Sequence, residues 1–329
     1  MKIELENFGP IKNFKFDLAK DLTVVFGKNN IGKSYAITCV YIMLKHMIGD
    51  SFTRSSFDIL YFRRFYREKP NNSDIIIDKD IDKILVDSMF KLRDSQNSEV
   101  EITNVIETAF RHMVSDSITQ NLERSFNNSF SSIDDLSNKY SNKGLSITMF
   151  YKDFDILIGV KDKHLVITEL KLNNKIFIKK AKTNRAPLRN DQKTTLYVKS
   201  FNKENRNNYI EMILRYVIMN LFMSFRNEVS AVIDNVYFLP ASRSGLYQAL
   251  STFSAVIAEL SKSRNFLTNS IELPNISEPV SDYFLNLSNI TSAKKQMKQV
   301  SKIATQIEQD ILRGQVKFNQ DSRRIFFCP

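Results

Sequence analysis

The chain has 329 residues, 43% of them hydrophobic, and a formal net charge of +11. That length holds one large domain or two ordinary ones of globular composition. Two cysteines, Cys39 and Cys328, exclude a disulfide framework and point to a reducing cytoplasm; with no run of eighteen apolar residues and no apolar core near the N-terminus, neither a membrane span nor a signal peptide is predicted.

The chain opens with two alternating stretches, MKIELENF (1–8) and IKNFKFDL (11–18), split by the turn signal Gly9-Pro10. Period-two alternation predicts a pair of strands. The apolar run Leu22 to Phe26 predicts a third strand, and it ends at Gly27. There follows GKNNIGKS, Gly27 to Ser34, which fits G-x-x-x-x-G-K-[ST], and then an apolar helix-compatible segment, Tyr35 to Met47. Strand, glycine-bracketed loop and helix form the setting of a phosphate-binding loop.

Each residue type in the loop has a chemical reason. Gly27 permits the tight exit from the strand. Lys28, Asn29, Asn30 and Ile31 turn successive backbone N–H groups inward to make a concave anion site. Gly32 lets the backbone approach phosphate closely, and the helix start from Ser34 to Tyr35 adds unpaired N–H groups and a positive dipole end. Lys33 supplies charge to the β- and γ-phosphates, and Ser34 a hydroxyl oxygen for Mg2+. A Gly-rich turn before a helix is the bland alternative. The loop by itself does not separate ATP from GTP.

The opening MKIELENFGPIKNFKFDL…DLTVVFGKNNIGKS resembles the start of the ABC-type ATPase heads of the SMC/RecF group, and within it the OLD-like ATPases, many of which act in anti-phage defence. Lys28 stands where that group often has Pro, and Ile31 where Ser or Gly is common. The close match covers about the first 45 residues. The resemblance implies an α/β P-loop NTPase fold with a mixed sheet, ATP and Mg2+ as ligands, and pairing of heads into a homodimer or larger assembly. It also implies a defence-system partner protein or DNA as partners.

Beyond the loop, RRFYREK (63–69) is basic and aromatic, and DIIID (74–78) has the apolar-run-then-Asp form of a Walker B strand but is short and flanked by charge. Residues 80–128 carry helical spacing, with a lone His112; the polar stretch that follows, as far as Gly144, reads as a linker. From 145 to 199 five β-type runs, LSITMFY, FDILIGV, HLVITELKL, KIFIKK and TTLYVKS, predict an antiparallel meander. Within and beside it lies a basic tract with Lys175, Lys179, Lys180, Lys182, Arg185, Arg189, Lys193 and Lys199. Phosphate contact needs only exposed Lys and Arg, so nucleic acid is one reading; a sheet edge kept soluble by lysines is the other.

Residues 204–229 predict one long helix whose wide apolar face suits burial against a core, and no long heptad region suggests coiled-coil arms. NVYFLPASRSGLYQAL (235–250) predicts a strand ending at Pro240 and a Ser-capped helix; it is similar to a segment of OLD-like ATPases, which implies a place near the γ-phosphate for Ser242, Arg243 or Gln248. Helical residues 252–313, broken at 273–279, lead to two short strands, 315–318 and 323–327.

The signature segment and the apolar run ending in Asp-Glu that the resemblance requires are missing: LSKS (260–263) and LSNI (287–290) lack the glycine. The chain therefore reads as an N-terminal portion whose catalytic carboxylate lies outside it. The acidic pairs Asp78/Asp80 and Asp153/Asp155 read as solvated turns. The expected organisation is an ABC-type core from 1–50 and 232–329 around a helical and antiparallel-β insertion, 51–231. The expected function is a Mg-ATP-binding ATPase subunit that switches a DNA-directed or defence complex. The alternative is a stand-alone GTPase-type switch with Asp78 as its acid, which the lack of an N-K-x-D segment weighs against.

Overall fold

The opening alternation folds as a hairpin. β1 (Lys2–Phe8) turns Ile3 and Leu5 fully inward and pairs antiparallel with β2 (Ile11–Asp17). The turn is Gly9-Pro10, with Gly9 at φ 54°, the glycine-first form that a two-residue hairpin favours. The structure is a computed structural model; it describes residues 1–48, 99–138, 141, 143–181, 187–190, 193–198, 206–241, 276–289, 305–319 and 324–328. These fall into two units, Met1–Val236 and Tyr237–Pro329.

In the first unit, α1 (Lys33–Ile48) follows the glycine-bracketed loop and packs against β1, β2 and the helices described next. From Cys39 onward it is buried on most sides, and Lys45 and His46 in its last turn complement the helix dipole. β3 (Glu99–Glu101) leads into α2 (Thr103–Phe130), whose buried stripe steps by four through Val114, Ile118, Leu122, Phe126 and Phe130. Two α2 glutamates hold a later strand end to end: Glu107 accepts from the Leu172 N–H at 2.8 Å and Glu123 from that of Leu165 at 3.2 Å. Part of the stretch expected as a linker is packed into the core instead. Helix α2 runs on to Phe130, and Ile133 and Leu136, the latter in a 3-10 turn, are buried after it. The few apolar residues among Ser and Asn recur at the spacing that one buried face needs.

β4 (Ser146–Phe150), β5 (Phe154–Lys161) and β6 (His164–Leu172) form the expected antiparallel meander, and they extend the β1–β2 sheet in the order β2-β1-β4-β5-β6. The remaining two predicted runs depart from it. β7 (Lys175–Lys180) and β9 (Lys193–Val198) lie parallel in a second sheet, with β8 (Leu188–Asn190) antiparallel to β9 and β3 on the far side, in the order β3-β7-β9-β8. Alternation is the same in parallel and antiparallel pairs, so periodicity alone did not separate them.

α3 (Arg206–Val232) is the long helix expected at 204–229. It buries Val217, Ile218, Phe222, Phe225 and Val229, and Phe225 meets the Tyr151 ring edge-on at 4.9 Å. Asp153, expected in a solvated turn, is 4% exposed and accepts a hydrogen bond from the Ser224 hydroxyl. A buried carboxylate needs such a partner, and the long helix provides it.

In the second unit, α4 (Glu278–Asn289) begins at Ser277, whose carbonyl accepts from Val280 and Ser281. A π-helical turn, Ile307–Leu312, ends at Arg313 in the left-handed region, φ 50°. The two C-terminal strands pair as an antiparallel hairpin, β10 (Gln315–Asn319) and β11 (Arg324–Cys328).

Candidate nucleotide-binding site

The glycine-bracketed loop reverses its backbone repeatedly. Gly27 has φ 150°, Asn30 φ 67° and Gly32 φ 93°, so the chain enters the left-handed half of conformational space three times in six residues. Such reversals curl a backbone around a concave centre. The Lys33 ammonium lies inside that curl, donating to the carbonyls of Gly27 at 2.8 Å and Lys28 at 2.5 Å. The first helical hydrogen bond, from Ala36 N–H to Gly32 O at 2.9 Å, leaves the N–H groups before it without an intrahelical acceptor. Ser34 is exposed at that same helix start. Lys28, Asn29, Asn30, Ile31 and Tyr35 all border solvent.

The loop is supported from one side. Gly32 is buried; a Cβ added there would lie 2.7 Å from Ile11 Cγ1 and 2.8 Å from Pro10 Cγ. Only glycine allows this approach of loop to hairpin turn. A Cβ on Gly9 would in turn meet the Tyr35 ring at 3.1 Å. Tyr35 leans on Phe130 at 5.2 Å, and Phe130 meets Phe8 edge-on at 5.4 Å. On the other side, the predicted strand Leu22–Phe26 joins none of the described sheets, and Leu22, Val24 and Phe26 are 78%, 69% and 88% exposed. That expectation is corrected: an apolar run becomes a strand only where a neighbour completes its hydrogen-bond ladder, and no described strand does so.

A family model described as an AAA ATPase domain matches residues 1–324. The chain belongs to this AAA ATPase family. No curated protein and no solved structure matches it. The fold is accordingly that of a P-loop NTPase, and the residues present suit the nucleotide such a domain binds: an ammonium held on the loop by two carbonyls, a backbone that reverses at three positions, and an exposed hydroxyl at the helix start. Lys33 would hold phosphate charge, and Ser34 the Mg2+ typical of such domains.

Lys175 pairs with Glu101 at 3.5 Å, and Lys193 pairs with Glu99 at 2.9 Å while lying 4.2 Å over the Phe177 ring. Part of the basic tract is thus answered by the acidic strand β3. Lys179 is half-buried and Lys180 exposed; Arg189 has its backbone in β8, and Lys182 and Arg185 lie outside the described residues. Asp78, Ser242, Arg243 and Gln248 also lie outside them. Residues 235–239, expected as a strand, join no described sheet. Among the described residues no cluster of three or more His, Cys, Asp or Glu could hold a metal, and no helix is long and apolar enough to cross a membrane. Cys39 is fully buried, which pushes its thiol pKa far up and makes it inert.

Residue-by-residue reading missed the supports of the loop: Gly9, Pro10, Ile11 and Phe130. Gly9-Pro10 announced a turn, but nothing in the sequence says that a turn more than twenty residues upstream lies against Gly32.

Proposed function

We propose that this ATPase is a Mg-ATP-binding subunit whose heads pair when nucleotide binds, and that this pairing switches a DNA-directed or anti-phage defence assembly. The observation that carries the proposal is the Lys33 ammonium held within the loop beside an exposed Ser34. Binding and turnover need different parts. Lysine and serine hold phosphate and metal, whereas hydrolysis needs a carboxylate to orient water. No apolar run ending in Asp-Glu is present in the sequence, so in this reading the carboxylate comes from outside the chain. Head pairing is supported by the resemblance of residues 1–45 to RecF and OLD-like ATPases. DNA contact would fall to Lys179, Lys180, Lys182, Arg185 and Arg189, since Lys175 and Lys193 are occupied by glutamates.

The test is calorimetric binding and turnover of MgATP and MgGTP by wild type and Lys33→Ala, with mass by light scattering. ATP binding lost in the variant, no turnover, and a mass that doubles with ATP are the expected results. Turnover dependent on Lys33 would place a catalytic acid within the chain, with Asp78 the first suspect. A preference for GTP would favour the stand-alone switch. An unchanged mass would refute head pairing, and a DNA affinity insensitive to salt would refute phosphate contact by the basic tract.

A further inference from the structure

We infer that the β1–β2 turn, through Pro10 and Ile11, is a positioning element of the nucleotide site: it sets where Gly32 lies, and with it the amine of Lys33 and the hydroxyl of Ser34. The inference rests on the nucleotide-binding reading and adds to it residues that touch no phosphate.

The two sides of Gly32 differ in packing. Upstream of Gly32, every residue from Asp21 to Ile31 is exposed except the half-buried Val25. Nothing in that stretch is packed tightly enough to fix the loop in space. Gly32 itself is buried. Gly32 lies against Pro10 and Ile11, so close that a Cβ at Gly32 would overlap both. Three residues later the Tyr35 ring covers Gly9 on the same turn. The loop therefore takes its position from the turn at two points, one on each side of Lys33 and Ser34.

The turn is itself held firmly. Phe8 is fully buried and Ile11 is 7% exposed, and the two pair across the hairpin. Behind the turn, the Gly9 N–H donates to Leu136 O at 2.5 Å and the Asn138 N–H to Asn7 O at 3.0 Å. Tyr35 is backed by Phe130, the last residue of α2, at a ring separation of 5.2 Å. Turn, loop and helix end thus form one packed unit whose free edge is the phosphate loop. Hydrogen bonds to phosphate weaken as a displacement takes donor distance and angle away from their optimum. Slack beneath Gly32 translates into that displacement directly.

The experiment measures MgATP affinity by calorimetry, beside the melting temperature, for wild type, Ile11→Ala, Pro10→Ala, Tyr35→Ala and a control, Ile167→Ala. Ile167 is buried in β6, the strand at the opposite edge of the sheet from β2. Ile11→Ala and Tyr35→Ala should weaken MgATP about tenfold, the fold-change of one charge-assisted hydrogen bond to phosphate. Ile167→Ala should melt as early as Ile11→Ala yet bind MgATP normally, which a merely structural role for the turn does not predict. Pro10 is exposed, so Pro10→Ala removes a contact without opening a buried cavity and keeps the test available if Ile11→Ala does not fold. Wild-type affinity in the Pro10 and Ile11 variants, or an equal loss in the control, would overturn the inference. Failure of wild type to bind MgATP would instead overturn the nucleotide reading on which it rests.

Discussion

Replacing Lys33 by alanine separates a structural lysine from a functional one. In the structure the ammonium donates to two backbone carbonyls, those of Gly27 at 2.8 Å and Lys28 at 2.5 Å, at an exposed site. Both carbonyls can return to water when the lysine is gone, so the loss to stability should be small, about 1 kcal/mol. In a unit of this size that corresponds to a fall of about 2–4 °C in melting temperature. A charge-assisted hydrogen bond to phosphate has no such substitute, because water replaces neither the positive charge nor its placement. Such a bond contributes about 1.5–3 kcal/mol, which is roughly a ten- to 150-fold loss of MgATP affinity. Calorimetric titration and a circular-dichroism melt on the same preparations measure both. A variant that binds MgATP within about threefold of wild type would refute the role of Lys33, because even the weaker limit of such a bond exceeds that. A melting temperature lower by more than about 8 °C would show that the lysine holds the fold together and would remove the functional interpretation of any affinity loss.

Four further outcomes follow from the packing. Phe126→Ala should cost about 3–5 kcal/mol in urea denaturation, since the ring is fully buried and meets both Phe8 and Phe130 edge-on; a loss below about 1 kcal/mol would remove it from the core. Leu22→Ser and Val24→Ser should change unfolding by less than about 0.5 kcal/mol, and a large loss would mean that the segment is covered in solution. A thiol reagent under native conditions should leave Cys39 unmodified until the chain unfolds, because burial raises its pKa. Tyr151 is buried and faces Glu228, and both raise its pKa. The stability this gives is intact below the ordinary tyrosine value of about 10 and is lost as pH rises above it, since the unfolded chain ionises first; Tyr151→Phe should flatten that alkaline decline in stability.

Much of the candidate site was legible because its information is local. G-x-x-x-x-G-K-S specifies its own geometry: glycines at the positive-φ positions, lysine and serine at the helix start. The hairpin 1–18 and the helices at 103–126 and 206–229 were legible for the same reason, since alternation and four-residue steps record which face each element buries. Legibility ended where a partner far along the chain makes the decision. Leu22–Phe26 has the composition of a central strand, yet it joins no described sheet, because a strand exists only by the ladder a neighbour completes. The Ser- and Asn-rich residues after Asn128 looked like a linker, yet Phe130, Ile133 and Leu136 are core, because a few apolar side chains in register with a groove outweigh many polar ones facing water. Asp153 looked solvated until α3 brought Ser224 to it. The sequence by itself determined the chemistry of the loop, its lysine and its hydroxyl. Only the tertiary structure decided what holds that loop in place: Pro10 and Ile11 under Gly32, and Phe130 behind Tyr35, contacts between residues far apart in sequence that no local pattern encodes.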